Sequence, residues 1–305
     1  MMVLLTGAAG FIGSHVARAL VDRGDEVIAP LRPGSARDRL ADLSGRMRIA
    51  NVALDDHQQL DRLLNDCRPD VMIHLAWYAR PVDYLVSPAN VQSLATTVAL
   101  VERVLASGCP KVVGVGTCLE YAASDALRRE SDPTDPVSLY ASCKLAAWLV
   151  TRALGAQHGA EMVWARLFHV HGPGEDPTRL IPSVVRALAA GRPFDVSPGL
   201  QVRDHLHVAD LAAAIVTLVE PGITGVVNVC RGVPVTLRDV LLTVAELVGR
   251  PDLLRFGARA YNPGEVMFLA GDTTRLRATG WAPRFADLRS SLADVVAEHV
   301  HAARG

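Results

Sequence analysis

Two hydrophobic periods alternate along the first half of the chain. Short apolar runs that suit buried strands occupy residues 3–6, 26–30, 47–52, 71–76, 111–116 and 161–167. Between them, over 12–23, 57–64, 91–106 and 140–155, apolar residues recur every three to four positions, the spacing of one helix face. Strands alternating with helices predict the α/β class with a doubly wound parallel sheet, because parallel neighbours need a crossover and the crossover is usually a helix. Ligands of such sheets sit at the carboxyl ends of the strands. Beyond about residue 166 the texture changes, with Gly172-Pro173-Gly174, Pro198-Gly199 and Pro263-Gly264 breaking the pattern. This predicts a first domain over 1–165 and a smaller, mostly C-terminal α/β region over 166–305, some of whose segments return to the first domain.

Bulk composition narrows the class. Half of the 305 residues are hydrophobic and 21% are charged, so a substantial core is available. A formal net charge of −1 offers no general attraction to nucleic acid or to an anionic membrane surface. No uninterrupted apolar run reaches the roughly 18 residues of a membrane-spanning helix. The opening Met-Met-Val-Leu-Leu-Thr begins a strand pattern without a basic segment, so no signal peptide is expected. The five cysteines (Cys67, Cys109, Cys118, Cys143, Cys230) are odd in number and form no Cys-x-x-Cys pair, which points to free thiols in a reducing cytoplasm.

The first apolar run leads into Thr6-Gly7-Ala8-Ala9-Gly10-Phe11-Ile12-Gly13, and a helical pattern follows. Glycines at this spacing allow a tight turn, close approach of backbone to a pyrophosphate, and close helix–sheet packing; the helix N-terminus then presents N–H groups to the anion. Gly7, Gly10, Phe11, Ile12 and Gly13 are therefore the candidate dinucleotide cradle. At the end of the second strand a carboxylate would hold the adenosine ribose, but Leu31 stands there and Arg32 follows. An arginine suits a 2′-phosphate, which favours NADP over NAD.

Of the 31 Lys+Arg residues only two, Lys111 and Lys144, are lysines. Lys144 follows Tyr140 by four positions, so on a helix the two share a face. An ammonium is a compact point charge where guanidinium is a wide fork. Beside a phenol, such a cation lowers the phenol pKa from its usual value of about 10 and makes Tyr140 a proton donor and acceptor near neutrality. Two His-x-His pairs, His169/His171 and His205/His207, with Asp210 nearby, make a metal-dependent hydrolase conceivable, but that reading leaves the glycine cradle and the Tyr/Lys pair unexplained, and no metal is assigned.

Taken in order, these residues resemble the extended short-chain dehydrogenase/reductase family of the NAD-dependent epimerase/dehydratase type. The resemblance spans nearly the whole chain. It is carried by the glycine run, His74-Leu75-Ala76, Asn90, Gly116-Thr117, Tyr140-Ala141-Ser142-Cys143-Lys144, Arg166-Leu167-Phe168-His169-Val170-His171-Gly172-Pro173-Gly174 and Arg203-Asp204-His205-Leu206-His207-Val208. It implies a Rossmann-like fold and adds Leu75 and Ala76 to the cofactor site. Thr117 would hydrogen-bond the reacting oxygen of a nucleotide-diphosphate sugar, Tyr140 would be the acid/base, and Lys144 would hold the nicotinamide ribose. Arg203 would contact the diphosphate unless a carboxylate such as Asp204 or Asp210 ties it down; Arg179 and Arg259 are further candidates.

Departures from the family pattern are informative. Cys118-Leu119 stands where sugar dehydratases carry an Asp-Glu pair, and no spare lysine is placed for 3,5-epimerisation, since Lys111 precedes the fifth strand. His169 replaces the usual Asn, and Asn262 rather than Arg precedes Pro263-Gly264-Glu265. A 4-ketoreductase using NADPH and a 4-epimerase retaining NAD remain open. The runs Gly116-Thr117-Cys118-Leu119-Glu120-Tyr121 and His74-Leu75-Ala76-Trp77-Tyr78 resemble bacterial reductases of nucleotide-linked 4-keto-6-deoxyhexoses. A non-catalytic nucleotide-sensing module on the same fold is a further alternative, though such modules lose the Tyr or the Lys. The family resemblance also implies a homodimer, paired through the helices bearing Asn90 and Tyr140.

Overall fold

The computed structural model of the chain describes residues 1–262, 264–285 and 287–302. The first half supplies strands β1 (Met2–Thr6), β2 (Glu26–Leu31), β3 (Arg48–Asn51), β4 (Val71–His74), β5 (Lys111–Thr117) and β6 (Glu161–Leu167). The chain then makes β7 (His169–His171), β8 (Phe194–Val196) and β9 (Val202–His207), and returns with β10 (Gly225–Val229). Seven of these strands form one parallel sheet in the order β10-β6-β5-β4-β1-β2-β3. The order reverses beside β1, and this is where a doubly wound sheet opens its ligand crevice.

Helices cover both faces, as buried parallel strands require. On one face α1 (Phe11–Arg23) packs Val16, Ala17 and Leu20 into the same core as Leu211 and Ile215 of a later helix. On the other lie α2 (His57–Cys67), α3 (Ala89–Ala106) and α4 (Leu139–His158), with Leu60, Leu64, Leu100, Val104 and Trp148 in a second core. A third core joins α5 (Leu180–Ala189), α7 (Leu237–Val248) and α9 (Leu288–Ala302), the remaining helices being α6 (Val208–Thr217) and α8 (Thr274–Arg277). Beside it, β11 (Pro234–Thr236), β9 and β13 (Phe268–Leu269) form a small sheet to which β7 adds, and β12 (Leu254–Phe256) pairs with β8. Thus α6 and β10, although late in the chain, belong to the layers of the large sheet.

Element types follow the sequence pattern, and the boundaries shift for local reasons. The apolar run predicts a fourth strand to residue 76, but β4 stops at His74. From there Leu75 and Ala76 swing against the first turn: a Cβ on Gly7 would sit 2.7 Å from the Ala76 nitrogen. The imidazole of His74 fixes this exit by bonding the Thr6 hydroxyl at 2.8 Å and the Thr97 hydroxyl at 2.9 Å.

The end of β5 is held by a buried carboxylate. Glu120 lies in a short 3-10 turn directly after the strand and is 0% exposed. Its side chain accepts from the Thr117 amide at 2.9 Å, from Trp164 Nε1 at 3.1 Å and from Arg166 Nε at 2.7 Å. Arg166 also stacks on Tyr121 at 4.4 Å. Gly114 and Gly116 leave the space that the Trp164 ring fills. Because the Arg166 guanidinium is only 3% exposed, removing its partner strands a charge away from water. Glu120→Gln is expected to lower unfolding free energy by about 3–5 kcal/mol. Denaturant titration checks this, and a loss below about 1 kcal/mol, the scale of a surface ion pair, would contradict it.

Candidate active site

The crevice beside β1 is a cleft of about 1850 Å³ running across the carboxyl ends of the large sheet and down to the small one. The residues assigned to cofactor and substrate from sequence line it: Gly7, Gly10, Phe11, Ile12, Gly13, Arg32, Leu75, Ala76, Thr117, Tyr140, Lys144, His169, Arg179, Arg203 and Arg259; His171 and His207 do not.

At one end is the glycine turn. Gly7 has φ +74°, a left-handed value that favours glycine, and the Gly10 amide closes the turn on the Gly7 carbonyl at 3.0 Å. A Cβ on Gly13 would strike that same carbonyl. Gly10 is the N-cap of α1 with no side-chain hydrogen bond, and no acidic residue occupies the first turn. The helix therefore offers N–H groups and a positive dipole end to an anion, with no side chain in the way. These features fit the pyrophosphate of a dinucleotide. At the end of β2, Arg32, Ser35 and Arg39 line the cleft, with the Asp55 carboxylate also nearby. Arg39 donates to the Gly174 carbonyl at 3.0 Å, tying this corner to the segment after β7.

The candidate catalytic group sits at the middle of the cleft. Ser138 caps α4 by accepting from the Ala141 amide at 3.2 Å, so Tyr140 lies in the first turn of that helix. Its own amide donates to the Leu85 carbonyl at 3.1 Å. Its ring meets Tyr84 edge-on, with centroids 5.0 Å apart at 79°. Burial holds the Tyr140 phenol well above its usual pKa, and Tyr84 adds to the effect; a hydrogen bond with the Thr117 side chain opposes it. Lys144 is 5% exposed, donates to the Val115 carbonyl at 2.8 Å and lies 4.0 Å over the Trp77 ring. Trp77 is in turn fixed by donating from Nε1 to the Asn90 side chain at 2.9 Å. Burial pulls the Lys144 ammonium down to about 7.

This corrects the expectation that Lys144 lowers the phenol pKa. The ammonium is 5.9 Å from the Tyr140 ring centre and gives its hydrogen bond to backbone, while loss of water dominates at both groups. Tyr140 is a neutral phenol, ready to donate its proton. The other lysine, Lys111, opens β5 at the opposite edge and donates to Glu161 at 2.9 Å and to the Ile223 carbonyl at 3.0 Å.

On the far side, Arg203 pairs with Glu265 at 2.7 Å rather than with Asp204 or Asp210. Asp204 accepts from the Arg231 and Gly232 amides at 2.7 and 2.8 Å, and Asp210 from the Arg284 amide at 2.7 Å. Sequence proximity misleads here because successive strand residues face opposite ways. Arg179 lies 5.0 Å over the Tyr84 ring, and the Arg259 amide donates to the Val196 carbonyl at 3.2 Å. Pro263, in the turn that departs from the family pattern, lies outside the described residues. The two His-x-His pairs do meet, His169 beside His205 and His171 beside His207. Among the described residues no group of three potential ligands is arranged to hold a metal ion.

Three groups escaped the sequence reading. Tyr84 bridges Tyr140 and Arg179 from an irregular loop, where only the scarcity of tyrosine, five in the chain, was available as a signal. Glu175 lines the cleft in the Gly-Pro-Gly-Glu turn, its carboxyl pushed up to about 8 by burial. Glu120 has no signal in the sequence beyond its place in the Gly116–Tyr121 run, because its partners Trp164 and Arg166 lie on another strand.

A sequence profile of the NAD dependent epimerase/dehydratase family matches residues 3–230. A UDP-glucose 4-epimerase of Azospirillum brasilense is 31% identical over 92% of this chain and 87% of its own. A dTDP-4-dehydro-6-deoxy-D-allose reductase of Streptomyces bikiniensis is 29% identical over 83% of each. Among solved structures, the Thermus thermophilus UDP-glucose 4-epimerase in complex with NAD superposes with a TM-score of 0.85 at 26% identity, covering 99% of this chain and 100% of that one. No helix among the described residues is long and apolar enough to cross a membrane. The glycine cradle, the Tyr140/Lys144 pair and the profile match over three-quarters of the sequence agree: the chain belongs to the NAD-dependent epimerase/dehydratase family, as an enzyme of NAD(P)-dependent oxidoreductase chemistry.

Proposed function

We propose that the protein reduces the 4-keto group of a nucleotide-linked 4-keto-6-deoxyhexose with NADPH, in the cytoplasm. The observation that carries this reading is the convergence of a neutral Tyr140 phenol and the Thr117 hydroxyl in one cleft with the glycine cradle. A reduced nicotinamide bound in this cleft would supply the hydride to the carbonyl carbon. Tyr140 Oη gives its proton to the carbonyl oxygen as negative charge develops there, and Thr117 Oγ1 donates a hydrogen bond to the same oxygen. Lys144, held by the Val115 carbonyl, would hold the cofactor ribose. Gly7, Gly10, Phe11, Ile12, Gly13, Leu75 and Ala76 take the pyrophosphate and nicotinamide side; Arg203, with Arg179, Arg259 and His169, takes the sugar nucleotide. Elimination is disfavoured because burial pushes the Cys118 thiol, next to Thr117, up to about 12, so it supplies neither acid nor base near neutrality.

NADPH is favoured by Arg32 and Arg39 in the cleft with Leu31 in place of a carboxylate. A second reading, a 4-epimerase with retained NAD, is supported by the epimerase relatives. We also propose a homodimer through α3 and α4, on which Val91, Leu149 and Val150 are 53%, 49% and 42% exposed.

Tyr140→Phe is expected to bind cofactor almost normally and to lose about 100-fold or more in kcat, the scale of a lost general acid; near-normal turnover contradicts the role. Lys144→Arg should fail as well, since a fork does not fit the slot between Trp77 and the Val115 carbonyl. Arg32→Ala should weaken NADPH more than NADH in fluorescence titrations; equal weakening removes Arg32 from 2′-phosphate recognition. Incubation with freshly generated nucleotide-linked 4-ketosugars separates the two reactions: cofactor consumption supports reduction, and inversion without consumption supports epimerisation.

A further inference from the structure

We propose that His169 and His205 form a titratable anion subsite, at which the diphosphate of a sugar nucleotide binds together with a proton taken up from solvent. This rests on the nucleotide-sugar reading above and specifies how its diphosphate is held.

β7 and β9 are parallel neighbours in the register His169↔His205 and His171↔His207. The four rings follow one another as a tilted ladder, with centroids 5.5 Å apart for His169–His205, 6.0 Å for His171–His205 and 5.8 Å for His171–His207, the last pair edge-on at 83°. The rear rungs are partly satisfied: His171 Nε2 bonds the Ser291 hydroxyl at 3.1 Å, and His207 Nδ1 accepts from the Ala209 amide at 3.1 Å. The front rungs line the cleft and are not. His205 is 7% exposed, yet both its ring nitrogens lack a hydrogen-bond partner, as does Nδ1 of His169. Polar atoms removed from water are normally paired, so a pair of imidazoles stranded at a cleft wall is a site waiting for a ligand.

The charges around the pair define that ligand. Arg203 on β9 acts on both rings, and Arg179, just before α5, acts on His169. Glu265 engages Arg203. Behind the pair stand His171, with Arg231 near it, and His207, with Asp294 and Asp210 near it. Burial first holds both front imidazoles neutral, His205 down to about 4; at His169 the neighbouring His205 adds to it, then Arg203 and Arg179, and at His205 Arg203 does. Two guanidinium groups repel a metal cation. A diphosphate does the opposite: its two negative charges, set between the arginines and the rings, reverse the local field and favour an imidazolium. The rings share one proton, because a second positive charge 5.5 Å away is opposed by the first.

The test uses the full-length enzyme loaded with NADPH, titrated calorimetrically with UDP-glucose and with dTDP-glucose. Their diphosphate is a diester that does not titrate near neutrality, and neither has a ketone to reduce. Heats at about pH 7 are compared in buffers of low and high ionisation enthalpy, and affinity is followed from about pH 6 to about pH 8. Uptake of about one proton per sugar nucleotide is expected, with affinity falling roughly three- to tenfold per pH unit across that whole range, because both free imidazoles are already neutral at its lower end. His169→Asn and His205→Phe should still bind but with the uptake and the pH slope much reduced. Binding by the natural enzyme without proton uptake overturns the inference and leaves the nucleotide-sugar reading standing. So does uptake that persists undiminished in both variants. If neither sugar nucleotide binds at any pH, the reading falls and the inference falls with it.

Discussion

The buried carboxylate of Glu120 is the contact on which the site depends. One side chain ties the Thr117 amide, the Trp164 indole and the Arg166 guanidinium together at the carboxyl ends of β5 and β6. A carboxylate accepts several such bonds at once, and with no water to compete each holds its donor in a fixed place. Thr117 is therefore set at the cleft floor through its backbone, and its hydroxyl is oriented by accepting from the Leu119 amide at 3.3 Å. Lys144 is fixed in the same way, through the Val115 carbonyl two residues earlier on β5. Two of the three reactive groups are thus referenced to a single strand, and Tyr140 is brought to them by the first turn of α4.

Desolvation is the second constraint. Burial pushes Tyr140 up and Lys144 down, so the pair starts as a neutral acid beside a weakly held ammonium. That starting state suits proton donation to a ketone. A bare phenolate would need a stronger positive field than Lys144, 5.9 Å from the ring centre, supplies without cofactor.

Much of this was legible in the sequence. Alternating periods located β1, β2, β5, β6 and the long helices to within a few residues, because buried parallel strands and amphipathic crossovers leave local signatures. The glycine turn and the Tyr140/Lys144 spacing were legible because each needs particular residue types at fixed separations. What escaped is non-local. The partner of Arg203 is 62 residues away at Glu265, not next door at Asp204. The two His-x-His pairs gave no hint of whether they would meet until β7 and β9 were seen in register. Tyr84 comes from a loop without periodicity, and the direction of the Tyr140 shift depends on burial that no motif encodes.

The account turns on hydride arriving at a sugar carbon while Tyr140 protonates its oxygen. The most direct measurement is transfer of deuterium from NADPH labelled at nicotinamide C4 to a nucleotide-linked 4-ketosugar, read by mass spectrometry and proton NMR. The account predicts one deuterium at sugar C4 for each cofactor oxidised, with the rate of transfer falling about 100-fold or more when Tyr140 is replaced by Phe. Unlabelled product, or cofactor that remains reduced while the sugar changes configuration, would contradict it.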